Sequence, residues 1–211
     1  MSTYQVFACT DDGISRCASI VKERGNDGVI VFPTDTIYGI GCDPYNDNAA
    51  ARIFRIKRRE EKKPLPVLAY SLQNAEEIVS LGEIGRNLAK KFWPGALTIV
   101  APITDQGISS KVTAGSASLA VRVPANRCVL SLLGHCKYLV GTSANLSGEK
   151  PLKSAQDVIE SSLDGFDALL DGGVVEGGVE STIVDITKAK PMILREGAIN
   201  SGEVFGLLEQ F

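Results

Sequence analysis

Short apolar runs alternate with amphipathic stretches along most of this chain. Val29-Ile30-Val31-Phe32 is wholly apolar and ends at Pro33, the pattern of a strand buried on both faces. Comparable runs at 65–69, 97–101, 119–123, 138–140, 168–170, 183–186 and 192–194 predict further strands. Between them, apolar residues fall at helical spacing. Ile14, Cys17, Ala18 and Val21 share one face of a helix that Asp11 or Asp12 would cap and Gly25 and Gly28 would end. Ala50, Ile53 and Phe54 do the same in a helix starting at Asn46 or Asp47. Further helices are expected at 74–81 and 83–92, the second broken by Pro94 and Gly95. Others should lie around Val129, Leu130 and Leu133, from Ser154 to Ser162 with Asp157 in a capping-box position, and at 202–209. The segments 34–45 and 141–148 read as loops. Roughly seven or eight strands and six or seven helices, without repeats or linkers, predict an α/β chain in one compact domain.

Composition narrows the class without naming a function. The 211 residues are 44% hydrophobic and 22% charged, an ordinary globular balance. A net charge of −3 weighs against a broad nucleic-acid-binding face. No apolar run reaches transmembrane length, and Asp11 and Asp12 interrupt any export signal, so a soluble cytoplasmic protein is expected. Cys9, Cys17, Cys42, Cys128 and Cys136 are odd in number, scattered and without a C-x-x-C pair, which predicts reduced, mostly buried thiols.

Several familiar sites are missing. No G-x-x-x-x-G-K-[ST] occurs, and Gly39-Ile40-Gly41 fails as a dinucleotide fingerprint because position 44 is Pro. The single histidine, His135, removes His-based triads and leaves little for a metal. What remains is a set of polar segments at strand ends, where open α/β sheets place their sites. Pro33 to Gly41 carries two threonines, an aspartate and a tyrosine, and reads either as a self-satisfied turn or as a loop for a small polar ligand. The run from Lys57 to Lys63 reads as a solvated helix end or a phosphate-holding cluster. Gly141 to Gly148 offers short donors and close backbone approach. Gly177 to Thr182 and Leu194-Arg195-Glu196-Gly197 follow later, and Arg122 is a cation inside an apolar strand that needs a partner.

Together these segments resemble the YrdC/TsaC family of L-threonylcarbamoyladenylate synthases. The resemblance rests on PTDTIYGIG at 33–41, Lys57-x-Arg59, KPLPVL at 63–68, WPGALT at 93–98 and AVRVP at 120–124. TSANLSG at 142–148, GVESTI at 178–183 and LREG at 194–197 complete it, so it runs from Val29 to Gly197 in the short form, without the extra C-terminal domain of longer members. It implies a single YrdC-like domain, a twisted mixed sheet with flanking helices around a deep, positively lined cavity. It also implies a nucleotidyltransferase that joins L-threonine, bicarbonate or CO₂ and ATP into threonylcarbamoyl-AMP and pyrophosphate, for t6A modification of tRNA by downstream transferase proteins. By this similarity Lys57, Arg59 and Arg195 would neutralise the triphosphate with Mg²⁺, and Ser143 and Asn145 would hold the reacting phosphate and carbamate. Arg122 would take the threonine carboxylate, with Thr34, Thr142 and Ser181 around the threonine.

The chain departs from the family pattern at Glu60 and Glu61 after the K-x-R pair, at Leu68 where some members carry histidine, and at Pro151-Leu152-Lys153. The alternative to a synthase is a paralogue that binds RNA or a nucleotide without catalysis. A carbamoyl-AMP-forming domain like those of hydrogenase maturation factors is a further alternative, though those belong to much longer chains.

Overall fold

The computed structural model describes residues 4–23 and 27–209, so Gly25, expected to end the first helix, lies outside the described residues. Strands along the chain are β1 (Gln5–Ala8), β2 (Ile30–Pro33), β3 (Tyr38–Gly41), β4 (Val67–Ala69), β5 (Leu97–Pro102) and β6 (Ser118–Arg122). Next come β7 (Tyr138–Val140), β8 (Thr142–Ser143), β9 (Ala168–Asp171), β10 (Thr182–Asp185) and β11 (Met192–Arg195). The helices are α1 (Asp11–Lys22), α2 (Asp47–Lys57), α3 (Leu72–Ile78), α4 (Gly82–Phe92), α5 (Ser110–Thr113), α6 (Arg127–Cys136), α7 (Ala155–Glu160) and α8 (Ser201–Leu208). The α/β class holds, but the strands form two mixed sheets where one was expected. Their orders are β1-β9-β2-β3-β8 and β11-β10-β5-β6-β4-β7.

Alternation along each strand builds the layers. Ile30 and Phe32 of β2 face α1 and α6, joining Ile14, Cys17, Val129 and Leu133 in one apolar cluster. Val29 and Val31 face the other way, into a larger core shared with α2 and with Leu97, Ile99 and Val121 of the second sheet. Burying such side chains is the main stabilising term, on the order of 1.5–3 kcal/mol each.

The segment expected to be loop at 34–45 contains β3, which pairs antiparallel with β2 in the register Ile30–Gly41 to Pro33–Tyr38. Its alternate glycines concealed it, because they carry no apolar signal. A Cβ at Gly41 would collide with the carbonyl of Val140. The loop at 141–148 likewise begins with β8, which pairs with β3. Residues 138–143 therefore leave one sheet and enter the other: β7 pairs with β4, then β8 joins β3. Val140 N–H to the Cys42 carbonyl (2.8 Å) and Gly141 N–H to the Pro66 carbonyl (2.9 Å) secure that passage. The site lies along this seam.

Two local expectations are corrected. The cap of α1 is Thr10, whose hydroxyl accepts from Gly13 N–H, and not Asp11 or Asp12, which occupy its first turn. Cys9 and Cys128 are joined in a disulfide across 119 residues, against the expectation of five reduced thiols. No sequence spacing signals that pair, because it forms where the end of β1 meets the first turn of α6. Cys17 and Cys42 are buried free thiols, and burial pushes the Cys17 thiol up to about 12. Among the described residues no helix is long and apolar enough to cross a membrane, and no group of three His, Cys, Asp or Glu is placed to hold a metal ion.

Candidate active site

A cavity of about 260 Å³ opens on one face of the second sheet. Leu68, Thr98, Val100, Ala120, Arg122, Ile183 and Leu194 form its floor. Thr34, Thr36 and Ile37, from the turn after β2, close one side, and Gly141, Thr142 and Ser143 close another. Arg59, Glu180, Ser181 and Arg195 complete the wall. Seven of the nine residues singled out from sequence meet here: Thr34, Arg59, Arg122, Thr142, Ser143, Ser181 and Arg195. Lys57 and Asn145 lie beneath the wall and do not line it.

The turn 34–37 is tightly self-bonded. Thr34 Oγ1 donates to the Ile37 carbonyl (2.6 Å) and accepts from the Thr36 and Ile37 N–H groups. Its proton being committed, the 2.9 Å contact with Thr36 must be a bond donated by Thr36. Thr36 Oγ1 is then an acceptor for Arg122 Nη1 (3.1 Å). The self-satisfied turn read from sequence is present, and the same turn forms part of the pocket wall.

Arg122 is 6% exposed and sits within this network. Its Nε donates to the Gly95 carbonyl (2.8 Å) and its Nη2 to Asp35 (2.6 Å), which also accepts from Ala125 N–H (3.0 Å). Three of its five N–H groups are thus committed, leaving one on each terminal nitrogen uncommitted. Burial weakens its hold on its proton, and the Asp35 carboxylate opposes that effect.

Arg59 differs. The last residue of α2 is followed by Arg58 in the left-handed region (φ 50°), which turns the chain back and sends Arg59 into the pocket. Its Nη2 reaches the Pro64 carbonyl (3.0 Å), while its buried Nε has no hydrogen-bond partner. An unsatisfied buried guanidinium N–H is costly unless an anion completes it. The rest of the cationic run splits as its charges allow. Lys62 and Lys63 pair with Glu60 in solvent, and Lys111 pairs with Glu61. The acidic departures from the family pattern therefore face outward.

Arg195 anchors the far wall through Nε and Nη2 to the Ser181 carbonyl (3.1 and 2.9 Å) and Nη1 to Glu180 (2.6 Å). Ser181 Oγ pairs with Thr98 Oγ1 (2.8 Å) across the β10–β5 junction. Thr98 and Glu180 lie in the WPGALT and GVESTI motifs but carry no role in the sequence reading, although a lone hydroxyl in Leu97-Thr98-Ile99-Val100 is a usable signal. The Pro151-Leu152-Lys153 departure contributes through its backbone: the Leu152 carbonyl accepts from Tyr38 N–H (2.9 Å) and that of Lys153 from Val175 N–H (2.7 Å). Leu68 packs where a Cβ on Gly141 would have to go, so it forces glycine at the start of the TSANLSG turn.

Comparison with known proteins identifies the family and the fold. The Sua5/YciO/YrdC family model, described as telomere recombination, matches residues 24–197. The threonylcarbamoyl-AMP synthase of Pyrococcus abyssi is 35% identical over 178 residues, covering 83% of this chain and 52% of that protein. The threonylcarbamoyl-AMP synthase of Bacillus subtilis is 34% identical over 201 residues, covering 94% of this chain and 57% of that one. This chain therefore spans about half the length of these relatives. The solved structure of P. abyssi Sua5 complexed with L-threonine superposes with a TM-score of 0.89 at 31% identity, over 99% of this chain and 61% of that one. On sequence, fold and the convergence of its motifs at one cavity, the chain belongs to the Sua5/YciO/YrdC family.

Proposed function

We propose that this protein is an L-threonylcarbamoyladenylate synthase acting on L-threonine, bicarbonate or CO₂, and ATP. The observation that carries this reading is one pocket lined by Arg122 with the hydroxyls of Thr34, Thr142 and Ser181, and also by Arg195 and by Arg59, whose buried Nε has no partner. Threonine presents a carboxylate to the two free N–H groups of Arg122, near the hydroxyls of Thr142 and Ser181. The triphosphate falls to Arg59 and Arg195, with Ser143 also in the wall.

Chemically, the threonine amine adds to CO₂, losing a proton and forming a carbamate. A carbamate oxygen then attacks the α-phosphorus, the bond to the β-phosphate oxygen breaks, and pyrophosphate leaves with that electron pair. No protein nucleophile is required, so the residues act by positioning and charge compensation. Mg²⁺ fits this pocket only as a companion of the phosphates. The lining offers one carboxylate, Glu180, already bonded to Arg195, which suits an ion held mainly by triphosphate oxygens and water. The adenylate would pass to tRNA-modifying transferases in the cytoplasm, the compartment of tRNA. A net charge of −3 favours such a focused pocket over extended RNA contact.

The test is pyrophosphate release from Mg-ATP by purified protein, with and without L-threonine and bicarbonate. Release that requires both supports the synthase. Folded protein that binds ATP or RNA and releases none identifies the non-catalytic paralogue instead.

A further inference from the structure

Lys57 closes α2 and is 1% exposed, yet no carboxylate lies within ion-pair distance of it among the described residues. Its ammonium donates to the carbonyls of Ser143 and Asn145, the second at 2.6 Å. Its own carbonyl accepts from Ser147 N–H (2.9 Å). One residue thus grips the TSANLSG turn at three points. Ala144 N–H also donates to the Tyr38 carbonyl (2.8 Å), and Asn145 Nδ2 closes the turn on itself by donating to the carbonyls of Leu146 and Glu149.

We propose that Lys57 is a positioning residue: it sets the Ser143 wall of the pocket by holding two of the turn's carbonyls from beneath, and does not touch the triphosphate. The placement of its ammonium argues for this. Burying a cation without a counter-charge is expensive, and a neutral side chain of similar length would fill the same space without that penalty. The strain is visible as a pKa lowered to about 8, caused first by burial and then by the nearby Arg59 cation. What the ammonium supplies in return is a fixed direction for the peptide groups after Ser143 and Asn145. Small displacements of such a wall matter, since about 1 Å can cost on the order of 100-fold in rate.

The test compares wild type with Lys57→Met and does not depend wholly on the synthase reading. Hydrogen exchange on the variant should show amides at 141–148 exchanging about tenfold faster, with those of β5 and β6 unchanged. Unchanged exchange in a folded variant overturns the proposal. On the wild type, acylation by acetic anhydride should spare Lys57 while labelling Lys62 and Lys63, with or without ATP. Labelling of Lys57 that ATP suppresses would mean a direct phosphate contact and overturns it too. If Lys57→Met fails to fold, the labelling decides alone. Where the synthase activity is present, Lys57→Met should lower kcat about 100-fold in wild type but less than about threefold in a Ser143→Ala background. Equal losses in both backgrounds contradict action through Ser143. A protein without threonine-dependent release leaves the exchange and labelling outcomes intact, so the two readings fail separately.

Discussion

Two arginines that line the pocket, Arg122 and Arg59, handle their charge in opposite ways. Arg122 is matched to Asp35, Thr36 and Gly95, so its charge is compensated and its orientation fixed before any ligand arrives. Arg59 is under-coordinated, with a buried Nε that has nothing to bond. A compensated arginine with two spare donors suits a small ligand read by shape and hydrogen bonds. A bare one suits an anion of high charge, because its cost is relieved only when the anion binds. Preorganisation and unmet demand thus divide the work between two residues of the same type.

The largest effect expected is on stability at the compensated arginine. Arg122→Ala strands the Asp35 carboxylate in a largely buried site and should cost about 3–5 kcal/mol in urea unfolding. Adding Asp35→Asn should recover part of that loss, which a purely ligand-binding arginine would not predict. At the bare one the effect should fall on catalysis. Arg59→Ala should reduce kcat about 100- to 1000-fold while raising the urea midpoint of the ligand-free protein slightly, and Arg59→Lys should restore only part of the activity as a point charge.

The buried Lys57 gives the next effect, with a sign set by its lowered pKa. The unfolded chain keeps this proton to about 10.5 and the folded one only to about 8. Between those values the unfolded state binds more protons, so this group's contribution to stability rises with pH. The difference in unfolding free energy between wild type and Lys57→Met should therefore shift in favour of wild type, by about 2 kcal/mol, from pH 7.5 to pH 10. A flat difference would place the titration elsewhere. The smallest effect is expected at the Arg195–Glu180 pair, which is over a third exposed. Glu180→Gln should free Arg195 and lower the KM for ATP by about two- to threefold at low salt, with the gain vanishing at high salt.

How much was legible follows from what each residue does. Strands announced by continuous apolar runs, such as Val29–Phe32 and Leu97–Ala101, are where they were expected. β3 was missed because its glycines are there for close approach and leave no hydrophobic pattern. The site motifs were legible as types, and seven of the nine chosen residues share one cavity. Lys57 and Asn145 were given ligand roles by family resemblance and lie behind the pocket wall, a placement hidden because sequence does not show which side of a turn a side chain occupies. Asp35 was visible as a turn residue, yet its pairing with Arg122 spans 87 positions that no local pattern connects. The Cys9–Cys128 bond was hidden for the same reason.

The strand segment 138–143, which belongs to both sheets, has a thermodynamic consequence. Because Thr142 and Ser143 line the cavity while β7 pairs in the other sheet, neither sheet alone can carry a complete binding site. Ligand binding is then coupled to the joint integrity of both layers. At a concentration of 100 times its Kd, a ligand would add about 2.7 kcal/mol to the whole molecule's unfolding free energy. Melting in the presence of Mg-ATP should consequently move as one transition, with no separate, ligand-insensitive unfolding of either sheet.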